Sequence, residues 1–244
     1  MVGLLGFGAA FQARAQEPQA GWRFAVTPYL WAAGVSGTAT LPRETRDFDV
    51  DFGDVLSDLN LALMGSFEAR YGGRLSLILD AMTLSVEEDF ATPRGVAFAG
   101  GRSELTATQL SAVGLLRIWQ EPGFGLDLGA GMRAWWVENK VTLNPGLAAG
   151  RSSSASADFV DPILALRVEF RLAERWSAVA YADIGGFDTS SRLTWQLFGA
   201  VSWQATESVS VQAGYRYLAV ERERGDLGLD LGFGGPLLGV TFRF

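Results

Sequence analysis

The chain has 244 residues, and its 48% hydrophobic and 12% aromatic content excludes a disordered protein. It contains no cysteine and no histidine, which excludes disulfide scaffolds, Ser-His-Asp hydrolases and most catalytic zinc sites. The net charge of −7 argues against a nucleic-acid partner. These numbers favour one predominantly apolar domain, and they point to no cofactor.

The first residues have the pattern of a processing signal. Residues 1–12 are apolar, and they are followed by Ala13-Arg14-Ala15 and then by a polar stretch. We therefore expect a signal peptide over 1–15 and a single domain over 16–244. No later stretch reaches the roughly 18 continuous apolar residues of a spanning helix. An exported chain of this kind is either soluble in the periplasm or spans a membrane as a closed β-barrel.

Apolar residues recur along the chain with a period of two. Between Leu59 and Tyr71 the odd positions are mostly apolar, and the even positions include Glu68 and Arg70. The same alternation returns in 124–136, 160–172, 193–203 and 238–244. Because successive side chains of a strand point to opposite faces, this pattern predicts strands with one apolar and one polar face.

Turn signals divide the chain into about ten strands. Tight turns are expected at Gly72-Gly73, 121–123, 173–175 and 205–207, and they alternate with longer connections. We predict an all-β fold, a closed antiparallel up-and-down transmembrane β-barrel, for which eight to twelve strands are compatible with the pattern. Residues 45–52 are a candidate additional strand. The ten predicted strands are 22–40, 59–71, 74–87, 103–118, 124–143, 159–172, 176–187, 191–203, 208–221 and 227–244.

Charged residues lie in the middle of the predicted strands, on the polar face. A membrane barrel turns its apolar face to lipid and keeps its lumen polar, so these charges are expected inside. Nineteen of the twenty basic residues are arginine, which pairs with carboxylates through two parallel hydrogen bonds. We expect Glu68, Asp80, Asp127, Glu169 and Asp183 to neutralise Arg70, Arg117, Arg133, Arg167 and Arg216. The predicted lumen network comprises these ten residues and Arg171.

Aromatic residues cluster near the predicted tight turns, as expected of rings at the headgroup depth of a bilayer. This predicted belt consists of Trp22, Tyr71, Trp119, Trp176 and Trp203. A second group lies farther along the strands and suggests a second interface, because Trp22 and Trp31 are nine residues apart and Trp195 and Trp203 are eight apart. This second group contains Tyr29, Trp31, Trp135, Trp136, Phe187, Trp195, Tyr215 and Tyr217.

The C-terminus resembles the assembly signal of Gram-negative outer-membrane β-barrels. The ending Gly239-Val240-Thr241-Phe242-Arg243-Phe244 has the glycine, the aromatic residue and the terminal phenylalanine of that signal. The strand from Trp22, with Tyr29-Leu30-Trp31, is similar to the first strand of small barrels in the OmpA/OmpX-like superfamily. The resemblance implies an outer-membrane location, contact with outer-membrane lipid and recognition by the barrel-assembly machinery through Gly239, Phe242 and Phe244.

Several functions remain open at this point. The lumen charges fit either a narrow, porin-like passage for small solutes or a plugged structural barrel. The plugged form is preferred because a ten-stranded barrel is narrow enough for its own side chains to occupy most of the lumen. External loops offer an alternative role in surface adhesion, and a soluble periplasmic barrel that binds an apolar ligand is another. We expect no enzyme, since outer-membrane hydrolases of this size rely on a histidine base.

Two short motifs are weaker candidates for a binding site. Asp47, Asp49 and Asp51 have the spacing of the first calcium-loop ligands, but Phe52 stands where that loop needs glycine, so a strand edge is the preferred interpretation. Arg224-Gly225-Asp226 is an adhesion-type tripeptide in a predicted external turn, where ordinary turn chemistry is the preferred explanation.

Overall fold

Alternation with a period of two produces a sheet that closes on itself. The computed structural model describes residues 21–41, 44–50, 53, 59–91, 98–224 and 227–244, and their strands form one antiparallel sheet. The strands are β1 (Trp22–Trp31), β2 (Gly34–Leu41), β3 (Glu44–Val50), β4 (Leu59–Tyr71), β5 (Leu75–Phe90), β6 (Phe98–Glu121), β7 (Phe124–Pro145), β8 (Arg151–Arg171), β9 (Trp176–Gly186), β10 (Leu193–Gln204), β11 (Val209–Arg224) and β12 (Leu227–Arg243).

The sheet closes into a barrel with ten strand positions. β1 and β2 share one strand position, because both pair with β12. On their other side, β1 pairs with β4 and β2 pairs with β3, so β3 and β4 also share one position. The remaining strands follow in chain order from β5 to β12. The prediction of a closed antiparallel barrel of about ten strands is confirmed, and the candidate strand over 45–52 corresponds to β3. Closure leaves no exposed edge around the main wall of the barrel.

The two ends of the barrel differ in their connections. Four short turns, at 72–74, 122–123, 172–175 and 205–208, lie at the end that also holds Trp22 and Phe244, which we call the turn end. Gly72 and Gly73 have φ of 58° and 68°, a left-handed conformation that glycine adopts without strain. The opposite end, which we call the loop end, carries the longer connections. There β7 and β8 stay paired as far as Leu143 and Arg151, whereas β8 and β9 separate beyond Ile163 and Gly185.

The apolar face of each strand lies outside. Large hydrophobic side chains at mid-strand are strongly exposed, among them Leu30, Leu63, Leu164, Leu197 and Leu238. The interior holds fully buried polar residues instead, including Arg133, Asp161 and Gln109. A soluble barrel around an apolar ligand needs the reverse arrangement, so that alternative does not fit. Within the described ranges, no helix is both long enough and apolar enough to cross a membrane.

The second aromatic group does not lie on one surface, which corrects the expectation of a second belt. Tyr29, Trp31 and Trp135 are 7%, 4% and 4% exposed and pack inside the barrel with Leu218, Val220 and Leu237. Trp22 and Trp31 are an odd number of residues apart, so their side chains point to opposite faces of one strand. Trp136, Phe187 and Tyr215 are exposed, and Trp195 stacks on Tyr217 with ring centroids 5.0 Å apart.

Candidate functional site: the charged lumen

The largest charge cluster occupies the turn-end half of the lumen. Three arginines of β4, β6 and β8 face three carboxylates of β4, β7 and β8, since inward positions alternate along each strand. Arg70 Nη2 lies 2.6 Å from Glu169 Oε1 and 3.0 Å from Glu68 Oε1. Arg117 forms ion pairs with both Asp127 and Glu169. We call this cluster the lower network; its residues are Glu68, Arg70, Arg117, Asp127, Arg167 and Glu169.

Arg167 connects the two sides of the lower network across the lumen. Its Nη1 donates to Glu68 Oε1 at 2.9 Å, and its Nε donates to Asp127 Oδ2 at 2.7 Å. A third hydrogen bond, from Nη2, reaches the Ser76 hydroxyl at 3.2 Å. Glu68 and Arg167 are 99 residues apart in sequence. Each guanidinium therefore satisfies several carboxylate oxygens at once, which compensates part of the desolvation cost of burying these charges.

Glycine makes room for this network at one position. An added Cβ on Gly125 would lie 2.2 Å from Arg117 Nη1, so the Arg117 guanidinium packs directly over the glycine backbone. A side chain at this position therefore requires the Arg117 guanidinium to move.

A second buried pair lies nearer the middle of the barrel. Arg133 is completely buried and its Nη2 donates to Asp183 Oδ2 at 2.7 Å. Its remaining donors reach the hydroxyls of Thr194 at 3.1 Å and Ser111 at 3.2 Å. Asp161, in register with Arg133 on the neighbouring strand, accepts hydrogen bonds from the Ser191 backbone at 2.8 Å and from the Ser191 hydroxyl at 2.7 Å. That contact fastens the β9–β10 connection to β8.

Arg216 forms the third group, where the polar lumen meets the aromatic interior. Its Nη2 lies 3.0 Å from Asp80 Oδ1, and its Nη1 donates to the Tyr29 hydroxyl at 2.9 Å. Tyr29 in turn donates to Asp80 Oδ2 at 2.9 Å. The Arg216 guanidinium also lies 4.8 Å above the Trp31 ring. On its loop-end side, Trp31, Trp135, Leu218 and Val220 pack together in a buried cluster.

A cavity of about 1040 Å³ occupies the turn-end half of the lumen. Turn residues such as Gln120, Gly123 and Arg175 line it, so it opens at the turn end. Its inner wall includes Tyr29, Asp80, Arg133 and Arg216, and Leu237 of the buried hydrophobic cluster also lines it. Trp31, Trp135, Leu218 and Val220 are not among the lining residues.

The structure brings together ten of the eleven residues of the expected network and leaves one apart. The acids and arginines expected to neutralise each other occur as the pairs described above. Arg171 is exposed at the turn end, and within the described part of the chain its side chain makes one hydrogen bond, of 3.5 Å, to the Glu174 carbonyl. Sequence reasoning did not place Gln109, Asp161, Thr194 or Gln196 in this network, and it assigned Tyr29 to an aromatic group on the surface instead. Their inward positions in the alternation were the only available signal.

The expected belt and assembly residues lie on the outside of the turn end. Trp22, Tyr71, Trp119, Trp176 and Trp203 are each between 41% and 58% exposed. Trp22 packs on Tyr71 with centroids 5.1 Å apart, and Trp176 is in register with Trp203. Phe242 and Phe244 are exposed, and the Phe244 backbone exchanges hydrogen bonds of 2.9 and 3.0 Å with Phe24 across the closing seam. Gly239 is in register with Tyr29 in the same seam.

The loop end carries exposed ion pairs. Arg102 donates to Asp89 at 3.0 Å, and this hydrogen bonding raises the pKa of the Arg102 guanidinium. Asp49 is exposed on β3, Asp51 lies outside the described residues, and no group of three potential metal-binding side chains is found within the described ranges. Gly225 and Asp226 of the adhesion-type tripeptide, like the expected signal peptide over 1–15, also lie outside the described residues.

No protein-family model matches the chain, and no curated protein matches its sequence. Solved structures do match. The outer-membrane protease OmpT of Escherichia coli aligns with a TM-score of 0.61 and 11% identity, over 93% of this chain and 98% of that one. The translocator domain of the autotransporter NalP from Neisseria meningitidis has a TM-score of 0.43 and 14% identity, over 92% and 89% of the two chains.

The transport unit of the autotransporter AIDA-I from Escherichia coli aligns over 98% of this chain and 94% of that one, with 11% identity and a TM-score of 0.42. The likeness to the protease at 0.61 concerns the fold, because only 11% of residues are identical. In fold and in the apolar character of its outer surface, the chain is an outer-membrane-type β-barrel.

Proposed function

We propose that this protein is an integral outer-membrane β-barrel whose lumen is plugged, and that its role is structural. The observation that carries the proposal is the order in which groups of side chains occupy the lumen from the turn end to the loop end. The lower network comes first, and the pairs Arg133–Asp183 and Arg216–Asp80 follow. The aromatic cluster around Trp31 and Trp135 comes last. The charged layers line the cavity of about 1040 Å³, so in this proposal the aromatic cluster forms the plug. A narrow passive pore requires a continuous polar path, which apolar rings packed across the lumen would interrupt.

The membrane location is supported by the outer surface. Leucines that are more than half exposed at mid-strand cost free energy in water but contact acyl chains favourably. The belt residues at the turn end fit the headgroup region, and the seam at Phe244 fits recognition by the barrel-assembly machinery. Heat-modifiable migration of the membrane fraction in detergent gels tests barrel and location together; recovery of the protein only in the soluble fraction would contradict both.

Planar-bilayer recording tests the plug. The wild-type barrel is expected to give no conductance or only very small steps, whereas Trp135→Ala removes an interior ring and is expected to increase conductance. Trp136→Ala is the matched control, because Trp136 is the adjacent residue and its ring is 45% exposed on the outside. Heat-modifiable migration confirms that each variant is folded. Large steady currents from the wild-type protein would refute a plugged lumen.

A second candidate role, interaction at the cell surface, is favoured by one feature of the loop end. Residues 151–162 of β8 have β7 as their only described strand neighbour, because β9 stops pairing at Gly185. The β7–β8 hairpin therefore extends beyond the β9–β10 connection, and residues 151–158 are all exposed. Aggregation of cells that carry the full barrel, but not of cells with 141–153 replaced by a short turn, would support this role. Equal behaviour of both would argue against it.

The similarity to a protease does not lead us to propose an enzyme. The chain contains no histidine; five of the six lumen carboxylates described above are paired with arginines, and the sixth, Asp161, accepts two hydrogen bonds from Ser191. The absence of enzymatic activity stays a prediction, which incubation of the refolded barrel with peptide substrates and mass spectrometry of the products would check.

A further inference from the structure

The β7–β8 hairpin has a free strand edge at the loop end. β8 pairs with β7 without a register shift as far as Arg151, whereas its pairing with β9 ends at Ile163. Residues 151–158 are all exposed. Among the described strands, only β7 pairs with this segment, so the other side of the segment presents unpaired backbone groups.

Even-numbered residues of β8 direct their backbone groups to this edge. In an antiparallel ladder, the residues of a strand point their N–H and C=O groups alternately to one neighbour and to the other. The Arg171 N–H donates to the Gly123 carbonyl, on the β7 side, at 2.8 Å. The Val160 carbonyl accepts a hydrogen bond of 2.9 Å from Ser190 Oγ, in the β9–β10 connection. The free edge therefore presents the backbone groups of Ser152, Ser154, Ser156 and Asp158.

The edge lacks the features that keep free strand edges from pairing. Natural proteins protect such edges with charged side chains, prolines or bulges. Residues 152–157 are serine and alanine only, and their register with β7 contains no bulge. The sequence of β3, which pairs only with β2 among the described strands, is charged by contrast. Its charged residues are Glu44, Arg46, Asp47 and Asp49.

The free edge stands in water and not in lipid. The outward residues of β8 nearer the turn end are apolar and exposed, as at Val160 and Leu164. From Asp158 to Ser152 the outward residues are polar, and a hydrocarbon layer at this height would surround the Asp158 carboxylate. The apolar band therefore ends near Val160, and the segment 151–158 projects beyond it on the side of the long connections. That side faces the exterior in outer-membrane barrels.

We propose that this edge pairs in antiparallel orientation with the same edge of a second copy of the chain, an inference that rests on the proposed interaction at the cell surface and names its partner. When Ser154 lies opposite Ser156 of the second copy, Ser152 lies opposite Asp158. All four edge residues then form hydrogen-bonded pairs, which supply about eight backbone hydrogen bonds between the two copies.

The sequence of the edge is its own complement in this register. Ala155 lies opposite Ala155 of the second copy, and Ser153 lies opposite Ala157, so small side chains meet along the contact. Asp158 faces a serine hydroxyl, and no like charges lie directly opposite each other. Antiparallel pairing turns the loop ends of the two barrels toward each other, so it joins barrels in two facing membranes.

Sedimentation equilibrium of the refolded full chain in a neutral detergent measures the pairing. We expect a reversible dimer in the wild type and in Ser154→Ala/Ser156→Ala, because the backbone groups make the contact. Ser154→Lys/Ser156→Lys places like charges opposite each other, and we expect its dimer dissociation constant to be higher by about tenfold or more. Gln204→Lys/Ser208→Lys adds the same charge at exposed positions of the turn end and is expected to leave the dimer unchanged. Heat-modifiable migration confirms that each variant is folded.

A mixture of oppositely charged variants tests the register. Ser154→Glu/Ser156→Glu is expected to weaken the dimer when it is alone, but an equimolar mixture with the lysine variant is expected to dimerise, because each introduced lysine then faces an introduced glutamate. A monomeric wild type, a dimer unaffected by the lysines, or a mixture as weak as either variant alone would overturn the proposal. Cells that aggregate through the hairpin while the purified barrel stays monomeric would support the surface role and refute self-pairing.

Discussion

Replacement of Arg133 should show how much the buried ion pairs contribute to the free energy of unfolding of the barrel. Arg133 and Asp183 form an ion pair whose side chains are 1% and 0% exposed. Arg133→Met keeps a side chain of similar length but leaves the Asp183 carboxylate buried without its cation. Breaking one partner of a buried pair costs about 3–5 kcal/mol, because the remaining charge has lost both water and its counterion. We therefore expect Arg133→Met to lower the free energy of unfolding by about 3–5 kcal/mol.

The double variant separates the pair from its surroundings. Arg133→Met/Asp183→Asn removes both charges, and we expect it to regain most of the lost stability, since replacing a buried pair by neutral groups is often nearly neutral. Urea unfolding in detergent, followed by fluorescence of the eight tryptophans, measures each variant and gives the coupling energy of the pair. A single variant within about 1 kcal/mol of the wild type would mean that water reaches Asp183, and would refute the buried network.

Three further predictions concern other parts of the barrel. Deletion of Phe244 should reduce membrane insertion without reducing synthesis, because it removes the backbone pairing with Phe24 as well as the terminal aromatic ring; normal heat-modifiable migration of the deletion variant would contradict this. Leu197→Arg places a cation on the 53% exposed outer face and should cost about 2–4 kcal/mol in lipid, with Leu172→Arg, on the outer face at the turn end, as a milder control; equal effects in urea unfolding would argue against a lipid-facing Leu197. Gly125→Ala should lower stability by about 1–3 kcal/mol through its clash with Arg117, whereas Gly199→Ala, which meets only a carbonyl 4.0 Å away, should be nearly neutral; equal unfolding midpoints of the two would contradict the packing of Arg117.

The alternation of side chains determined the fold class and the orientation of each strand. Leu197 and Gln196 differ by one position, and that difference alone places one against the exterior and the other inside. The same rule fixed which charges enter the lumen, because ionised side chains at mid-strand are tolerable only on the polar face. The same alternation shows why the prediction of a second aromatic belt was wrong. Trp22 and Trp31 are nine residues apart, so their side chains point to opposite faces of the strand.

Only the tertiary structure decided which charges meet. Arg70 and Glu169 are 99 residues apart and join through the lumen, on strands that are not neighbours in the sheet. Such partners depend on the number of strands and on the stagger between them at closure, which no single strand encodes. For the same reason, the packing of Tyr29 on β1 with Leu237 on β12 and Leu218 on β11 follows from closure, because β12, the last strand, pairs with β1, the first.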